Sequence, residues 1–326
     1  MIRLKTLIVM CFLLGSVFFS KAQDWKFSSG IPSEVSITSI FDNDEELIAF
    51  GQKMWREGST FFSEPKSYMS KDNGETWTEY INIDPKISTA NTLCISDGRI
   101  ITSGRKGETQ IDWIGAIVYS DDNGAYWTEA TGFPEDIAIT NIKKINGSLY
   151  AFGQRQWREG MNFLSEPKAY VSTDNGTTWE EFVKITPELS SIAAFNITNN
   201  RIMASGRHGE TQLDWKGALF YTNDNGETWV KSTGIPEDIS LTQIQPYGDS
   251  IIAVGQRQWR EDMNFLSAPK SYISKDNGET WVEFIPMNDE LSTSNSLSVR
   301  NGRMITSGRI GQAQLDWIGD VTYTDF

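Results

Sequence analysis

Histidine and cysteine are almost absent from this chain. Its 326 residues hold one histidine, His208, and two cysteines, Cys11 and Cys94. Cys11 sits in an apolar run near the start, too early for a lipid-anchor site. Beyond that run Cys94 is the sole thiol, so no disulfide is expected. A single histidine and a single thiol leave no constellation for His-dependent, thiol or zinc chemistry. No metal and no cofactor are expected. Basic residues are scarce as well: 29 Lys and Arg face 43 Asp and Glu, a net charge of −14, and Arg3, Lys5 and Lys21 of that basic set lie before residue 23. This acidic balance argues against nucleic acid and anionic membranes as partners. Long apolar runs are lacking too. The run from Leu7 to Phe19 is too short for a good membrane span. With basic residues before it and Ser20-Lys21-Ala22 after it, it reads as a secretory signal peptide cleaved near Ala22. The expectation is a secreted protein, extracellular or periplasmic, with residues 23–326 forming one domain and no membrane span.

What is abundant is repetition. The stretch "GQKMWREGSTFFSEPKSYMSKDNGETW" (51–77) returns as "GQRQWREGMNFLSEPKAYVSTDNGTTW" (153–179) and "GQRQWREDMNFLSAPKSYISKDNGETW" (255–281), a period of 102 residues. A second unit alternates with it: "SGRKGETQIDWIGAIVYSDDNGAYW" (103–127), "SGRHGETQLDWKGALFYTNDNGETW" (205–229) and "SGRIGQAQLDWIGDVTYTDF" (307–326). Trp25, Trp77, Trp127, Trp179, Trp229 and Trp281 mark the register, spaced alternately by 52 and 50 residues. The last copy of the second unit stops short of its tryptophan, and "DWKFSSGIPSE" (24–34) matches what would follow. The N-terminal strand is therefore expected to close the last unit.

Each unit reads as four short strands, in the first unit 35–42, 46–52, 66–71 and 75–81. The turn between third and fourth strands carries Asp-Asn-Gly, suited to a tight hairpin with positive φ. Six such units and a split closure predict an all-β, six-bladed β-propeller of four-stranded antiparallel blades, built as three double-blade repeats. A linear solenoid would need capping repeats, and a split unit has no role in one.

The turns "SKDNGETW", "SDDNGAYW", "STDNGTTW", "TNDNGETW" and "SKDNGETW" resemble the Asp-box, or BNR repeat, S-x-D-x-G-x-T-W, of sialidase-like propellers. The resemblance implies the fold more than the activity, because Asp-boxes lock hairpins. It implies that Asp72, Asp122, Asp174, Asp224 and Asp276 bond turn amides and that the box tryptophans pack between strands. A calcium site at these turns would lack its further ligands.

In an antiparallel blade the strand 2–3 and strand 4–1 connections share one face and the box turns lie on the other. The expected long 2–3 loops hold the remaining six of the twelve tryptophans. In odd blades they carry Gln52, Trp55, Arg56 and Glu57; Gln154, Trp157, Arg158 and Glu159; Gln256, Trp259, Arg260 and Glu261. In even blades they carry Arg105, Glu108, Gln110, Asp112 and Trp113; Arg207, Glu210, Gln212, Asp214 and Trp215; Arg309, Gln312, Gln314, Asp316 and Trp317. Indole faces stack on sugar C–H surfaces while Arg, Glu, Gln and Asp bind hydroxyls, so this is an inventory for a glycan or polysaccharide. The bland alternative is a set of loop anchors, with Arg56–Glu57 or Arg105–Asp112 as local ion pairs.

The resemblance makes glycoside hydrolysis the enzyme hypothesis. The sialidase set is not recognisable: no Arg-Ile-Pro occurs, and the tyrosines fall mainly on third strands (Tyr68, Tyr119, Tyr170, Tyr221, Tyr272, Tyr323). Hydrolysis by paired loop carboxylates stays open, with Glu57, Glu159, Glu261, Asp112, Asp214 and Asp316 as candidates. His208 stands where Lys106 and Ile310 stand in the other copies, which predicts an exposed, unconstrained ring. Near-equivalent repeats favour up to three binding sites over one asymmetric catalytic pocket. The reading is a secreted, lectin-like carbohydrate-binding propeller, with a glycosidase or a protein-binding scaffold as alternatives.

Overall fold

The computed structural model describes residues 23–43, 45–58, 60–106, 114–159, 162–208, 216–261, 264–311 and 318–326. Six four-stranded antiparallel sheets make a six-bladed β-propeller, without helices among the described residues. Blade 1 is Val35–Asp42, Leu47–Glu57, Thr60–Ser70 and Thr78–Glu79. Blade 6 is closed as the repeat predicts, with Lys26 paired to Tyr323 and Phe27 to Thr322. The Ser28 amide donates to the Val321 carbonyl at 2.8 Å, extending the seam.

The strand boundaries differ from the expectation in an instructive way. In odd blades the second and third strands run far beyond the blade, and the expected 2–3 loop is a long β-hairpin. In blade 1 its register holds from Leu47↔Ser70 to Glu57↔Thr60, and Gly58 takes a φ of 63° at the tip. The polar "QRQWRE" alternation that reads as loop chemistry is equally a two-sided strand pattern, and neighbouring backbone groups pair whenever both strands extend. Fourth strands are the opposite case, only two residues each, because residues 71–77 and their equivalents go into a wide turn instead of a tight hairpin.

That turn is organised by its aspartate. Asp72 accepts the Thr76 amide at 2.9 Å and the Ser70 hydroxyl at 2.8 Å, while the same hydroxyl accepts the Gly74 amide at 2.9 Å. The arrangement recurs at Asp122, Asp174, Asp224 and Asp276, each 2.8–2.9 Å from the amide four residues on. Asn73 and Gly74 both have positive φ, 59° and 88°, which Asn and Gly tolerate best.

The core is divided among the blade interfaces. Six buried apolar clusters each draw on two neighbouring blades: Val35, Leu47 and Trp77 of blade 1 pack with Ile305, Val321 and Tyr323 of blade 6. Phe152 and Phe195 meet across blades 3 and 4, with ring centroids 4.8 Å apart. The register tryptophans alternate in role. Trp77, Trp179 and Trp281 of the odd blades are 2–3% exposed, while Trp127 and Trp229 of the even blades are half-buried. A further fastening precedes each odd blade, where Gly30, Gly132 and Gly234 lie against the backbone of Trp77, Trp179 and Trp281. A Cβ at Gly234 would sit 2.0 Å from the Trp281 carbonyl oxygen at φ +91°, so only glycine fits.

Candidate functional site

The three odd-blade hairpins project on the face away from the aspartate-centred turns. Strand alternation sorts the predicted residues onto two sides. Trp55 and Glu57 share one side with Lys53, and Trp55 Nε1 donates to Glu57 Oε1 at 3.2 Å. Gln52 and Met54 share the other side, where Gln52 Nε2 lies 3.7 Å from the Met54 sulfur. Gln-x-x-Trp-Arg-Glu therefore does not converge on one point; its Trp and Glu form one surface and its Gln faces the reverse. The amide oxygens of Gln52, Gln154 and Gln256 are enclosed without a hydrogen-bond partner.

The tryptophans remain exposed in all three copies: Trp55 37%, Trp157 39% and Trp259 36%. Trp55 stacks on Phe62 of the returning strand, at 5.5 Å and 17°. In the other hairpins a guanidinium takes part instead, Arg155 5.7 Å from the Trp157 ring and Arg257 5.6 Å from the Trp259 ring. Each cation is fixed by a carboxylate on the strand 4–1 connection: Arg155 to Asp136 at 2.5 Å, Arg257 to Asp238 at 2.6 Å, and Lys53 to Glu34 at 3.3 Å. The backbone repeats the link, with Gln258 N donating to Asp238 O at 3.0 Å. Sequence reading missed these six charged residues. The signal was present, since Lys53, Arg155 and Arg257 lie two residues before each tryptophan, on its side of the strand.

The remaining predicted residues fall in several places. Glu159, Arg260 and Glu261 are exposed near the hairpin tips. The side chains of Arg56 and Arg158 lie outside those described, as do residues 1–22 and Glu108, Gln110, Asp112, Trp113, Glu210, Gln212, Asp214, Trp215, Gln312, Gln314, Asp316 and Trp317. Arg105, Arg207 and Arg309 close the second strands of the even blades, and desolvation lowers the pKa of each. Their carbonyls are tied down by Ser88, Ser190 and Ser292 amides at 2.7–2.8 Å. His208 is held rather than free, one ring nitrogen lying 2.6 Å from the Glu188 carbonyl oxygen. The six third-strand tyrosines stay on their strands, and Tyr68, Tyr170 and Tyr272 are buried. Cys94 is buried on a first strand, where desolvation pushes its thiol up to about 12.

One feature at the propeller axis was not read from sequence. A cavity of about 640 Å³ lies among the first strands, bounded by the strand 1–2 turns at Asn146 and Asn199. Lys143 lines it and donates to the carbonyls of Phe195 at 2.9 Å and Ile244 at 2.8 Å, one blade and two blades away. Burial draws its pKa down to about 7.

Set beside known proteins, residues 167–305 match the family described as Sortilin, neurotensin receptor 3 (Sortilin-Vps10). The chain is 23% identical over 245 residues to a sialidase of Paraclostridium sordellii, covering 69% of this chain and 51% of that protein. It is 22% identical over 277 residues to the oligoxyloglucan-reducing end-specific xyloglucanase of Emericella nidulans, covering 74% and 30%. The chain thus spans about half the length of the sialidases it matches. Among solved structures, a Trypanosoma rangeli sialidase in complex with 2,3-difluorosialic acid aligns with a TM-score of 0.61 at 14% identity, over 94% of this chain and 56% of that one. A Dyadobacter fermentans protein of unknown function aligns with a TM-score of 0.66 at 14% identity, over 94% and 99%. The molecule is a sialidase-like six-bladed β-propeller.

Proposed function

We propose that this propeller is an exported carbohydrate-binding protein whose ligand surfaces are the tryptophan sides of the three hairpins. The observation that carries this is the threefold recurrence of an exposed indole beside a fixed cation and a hairpin-tip glutamate. Tryptophans of the same blades that serve packing are buried, so exposure at 55, 157 and 259 is selective. An indole face accepts the apolar side of a sugar ring, while Arg155 or Arg257 and Glu159 or Glu261 would bond its hydroxyls. The even-blade residues Arg105, Glu108, Gln110, Asp112 and Trp113, with their repeats, are part of this proposal as further ligand contacts. Sialidases and a xyloglucanase among the relatives support a glycan as the ligand class.

A glycan array probed with residues 23–326 tests this, with spots afterwards checked for cleavage. Binding is expected without cleavage. Each single Trp→Ala at 55, 157 or 259 should weaken it by about tenfold or less per site. The triple variant should lose it, because three weak sites act through avidity. Cleaved glycans would make the protein a glycosidase and move attention to the carboxylates at 57, 159 and 261. A second reading, a protein-docking face, is favoured by Phe62, 40% exposed and stacked on Trp55, and by Met54, 39% exposed on the reverse of the same hairpin. It takes precedence if no glycan binds.

A further inference from the structure

The axial cavity breaks the symmetry that the rest of the molecule keeps. The hairpins are near copies, but the first strands that line the axis differ from repeat to repeat. Ser39, Asn141 and Gln243 share one register position, Phe41, Lys143 and Gln245 a second, and Cys94, Asn196 and Ser298 a third. A threefold scaffold has acquired one asymmetric chamber, within the size range of small-molecule sites. It lies toward the strand 1–2 turns, at the opposite end of the axis from the hairpins.

Three polar groups on its wall lack hydrogen-bond partners: Asn196 Nδ2, Ser298 Oγ and Ser39 Oγ, on residues 3%, 1% and 8% exposed. Buried polar groups are ordinarily satisfied, so three orphans on one cavity need an explanation. Lys143 adds a fourth donor. Its two carbonyl partners engage two of the three ammonium protons, and both partners are uncharged. The neighbouring charges are already matched, Asp42 with Arg300 at 2.9 Å and Lys144 with Asp97 at 2.7 Å.

We propose that the axial cavity is a binding site for one small organic carboxylate, held by the Lys143 ammonium and the Asn196 amide, with Ser39 and Ser298 bonding its remaining oxygens. A carboxylate only accepts, which matches a wall whose unmet groups are an amide N–H, an ammonium proton and two hydroxyls that can donate. A charge-assisted pair with Lys143 would also supply the counter-charge its site lacks. Burial in the chamber wall already disfavours the charged lysine. Of the other titratable groups on the six first strands, Asp42, Arg300 and Lys144 are ion-paired, Cys94 is held neutral by burial, and Tyr247 packs on Phe326. An anion should therefore raise the Lys143 pKa, so that binding above neutral pH takes up a proton.

Calorimetric titration of residues 23–326 with sodium D-gluconate tests this, using D-glucitol as the uncharged match and sodium chloride at equal ionic strength as the control. Gluconate should bind and glucitol should not. At pH 7.5 the heat should vary with buffer ionisation enthalpy in the sense of proton uptake. Lys143→Gln keeps a donor for the strand carbonyls and should weaken gluconate at least tenfold, whereas Lys231→Gln, at an exposed fourth-strand pair with Glu237, should leave it unchanged. If Lys143→Gln is unfolded, the same test passes to Asn196→Asp, which sets a negative charge against the ligand. No response to gluconate or acetate, equal binding of glucitol, or binding untouched by both cavity variants would overturn the proposal. The hairpin surfaces are read separately by the glycan array: gluconate binding that survives Lys143→Gln but is lost in the triple variant at 55, 157 and 259 belongs to them and overturns the cavity site.

Discussion

At the scale of the residue, the turn aspartates carry the clearest physical signature. Asp224 accepts from the hydroxyls of Thr222 and Thr228 and from the Thr228 amide, and these bonds hold its pKa at about 2. A carboxylate depressed in the folded state stabilises the fold above its unfolded pKa, about 4, and that contribution is lost as pH falls through the folded value. Asp224→Asn should therefore flatten the acid limb of a pH–stability curve between about pH 4 and pH 2. Urea midpoints across that window check it, and an unchanged acid limb would show that the turn does not depend on the ionised group.

At the scale of the element, one blade contains two tryptophans with opposite duties. Trp179 lies in the interface between blades 2 and 3, with Ile101, Ile137 and Tyr170 around it. Trp157 stands on the projecting hairpin, half in solvent. Trp179→Ala should cost about 3–5 kcal/mol, the usual range for emptying a buried indole site. Trp157→Ala should change stability by no more than about 0.5 kcal/mol. Denaturant unfolding of the two variants separates packing from presentation. Equal losses would mean that the hairpin is part of the core and would weaken the case for a ligand surface there.

At the scale of the whole molecule, stability depends on closing the ring. Arg303 of blade 6 bonds Asp325 at 2.6 Å, reaches Glu75 of blade 1 at 2.9 Å, and stacks 4.5 Å from the Tyr323 ring. Those hydrogen bonds, Asp325 first, raise its pKa above an already high value, so it stays charged at any working pH. Arg99 and Arg201 make the corresponding strap from blade 2 to 3 and from blade 4 to 5. Arg303→Met should cost about 1–2 kcal/mol, because the half-sheltered guanidinium also bonds the Asn73 carbonyl and stacks on Tyr323, while its carboxylate partners stay solvated. Lys53→Met, at an exposed pair, should cost less than about 1 kcal/mol. Thermal unfolding of both variants is the comparison, and similar small losses would show that the strap does not secure the closure.

Much of this was legible in the sequence because it is local or periodic. The 102-residue repeat, the tryptophan register and the Asp-Asn-Gly turns determine blade number, strand order and the terminal closure, since each strand's partner is its sequence neighbour except at the seam. Two things were decided only in three dimensions. Glutamines at 52, 154 and 256 and tryptophans at 55, 157 and 259 look like one cluster on the page, yet strand alternation turns them to opposite sides once the hairpins extend. Lys143 looks like a surface residue of an amphipathic strand, because its neighbours Phe195 and Ile244 lie 52 and 101 positions away. Only closing six sheets around an axis brings their carbonyls to one ammonium, and no local pattern encodes a contact that the curvature of the whole ring creates.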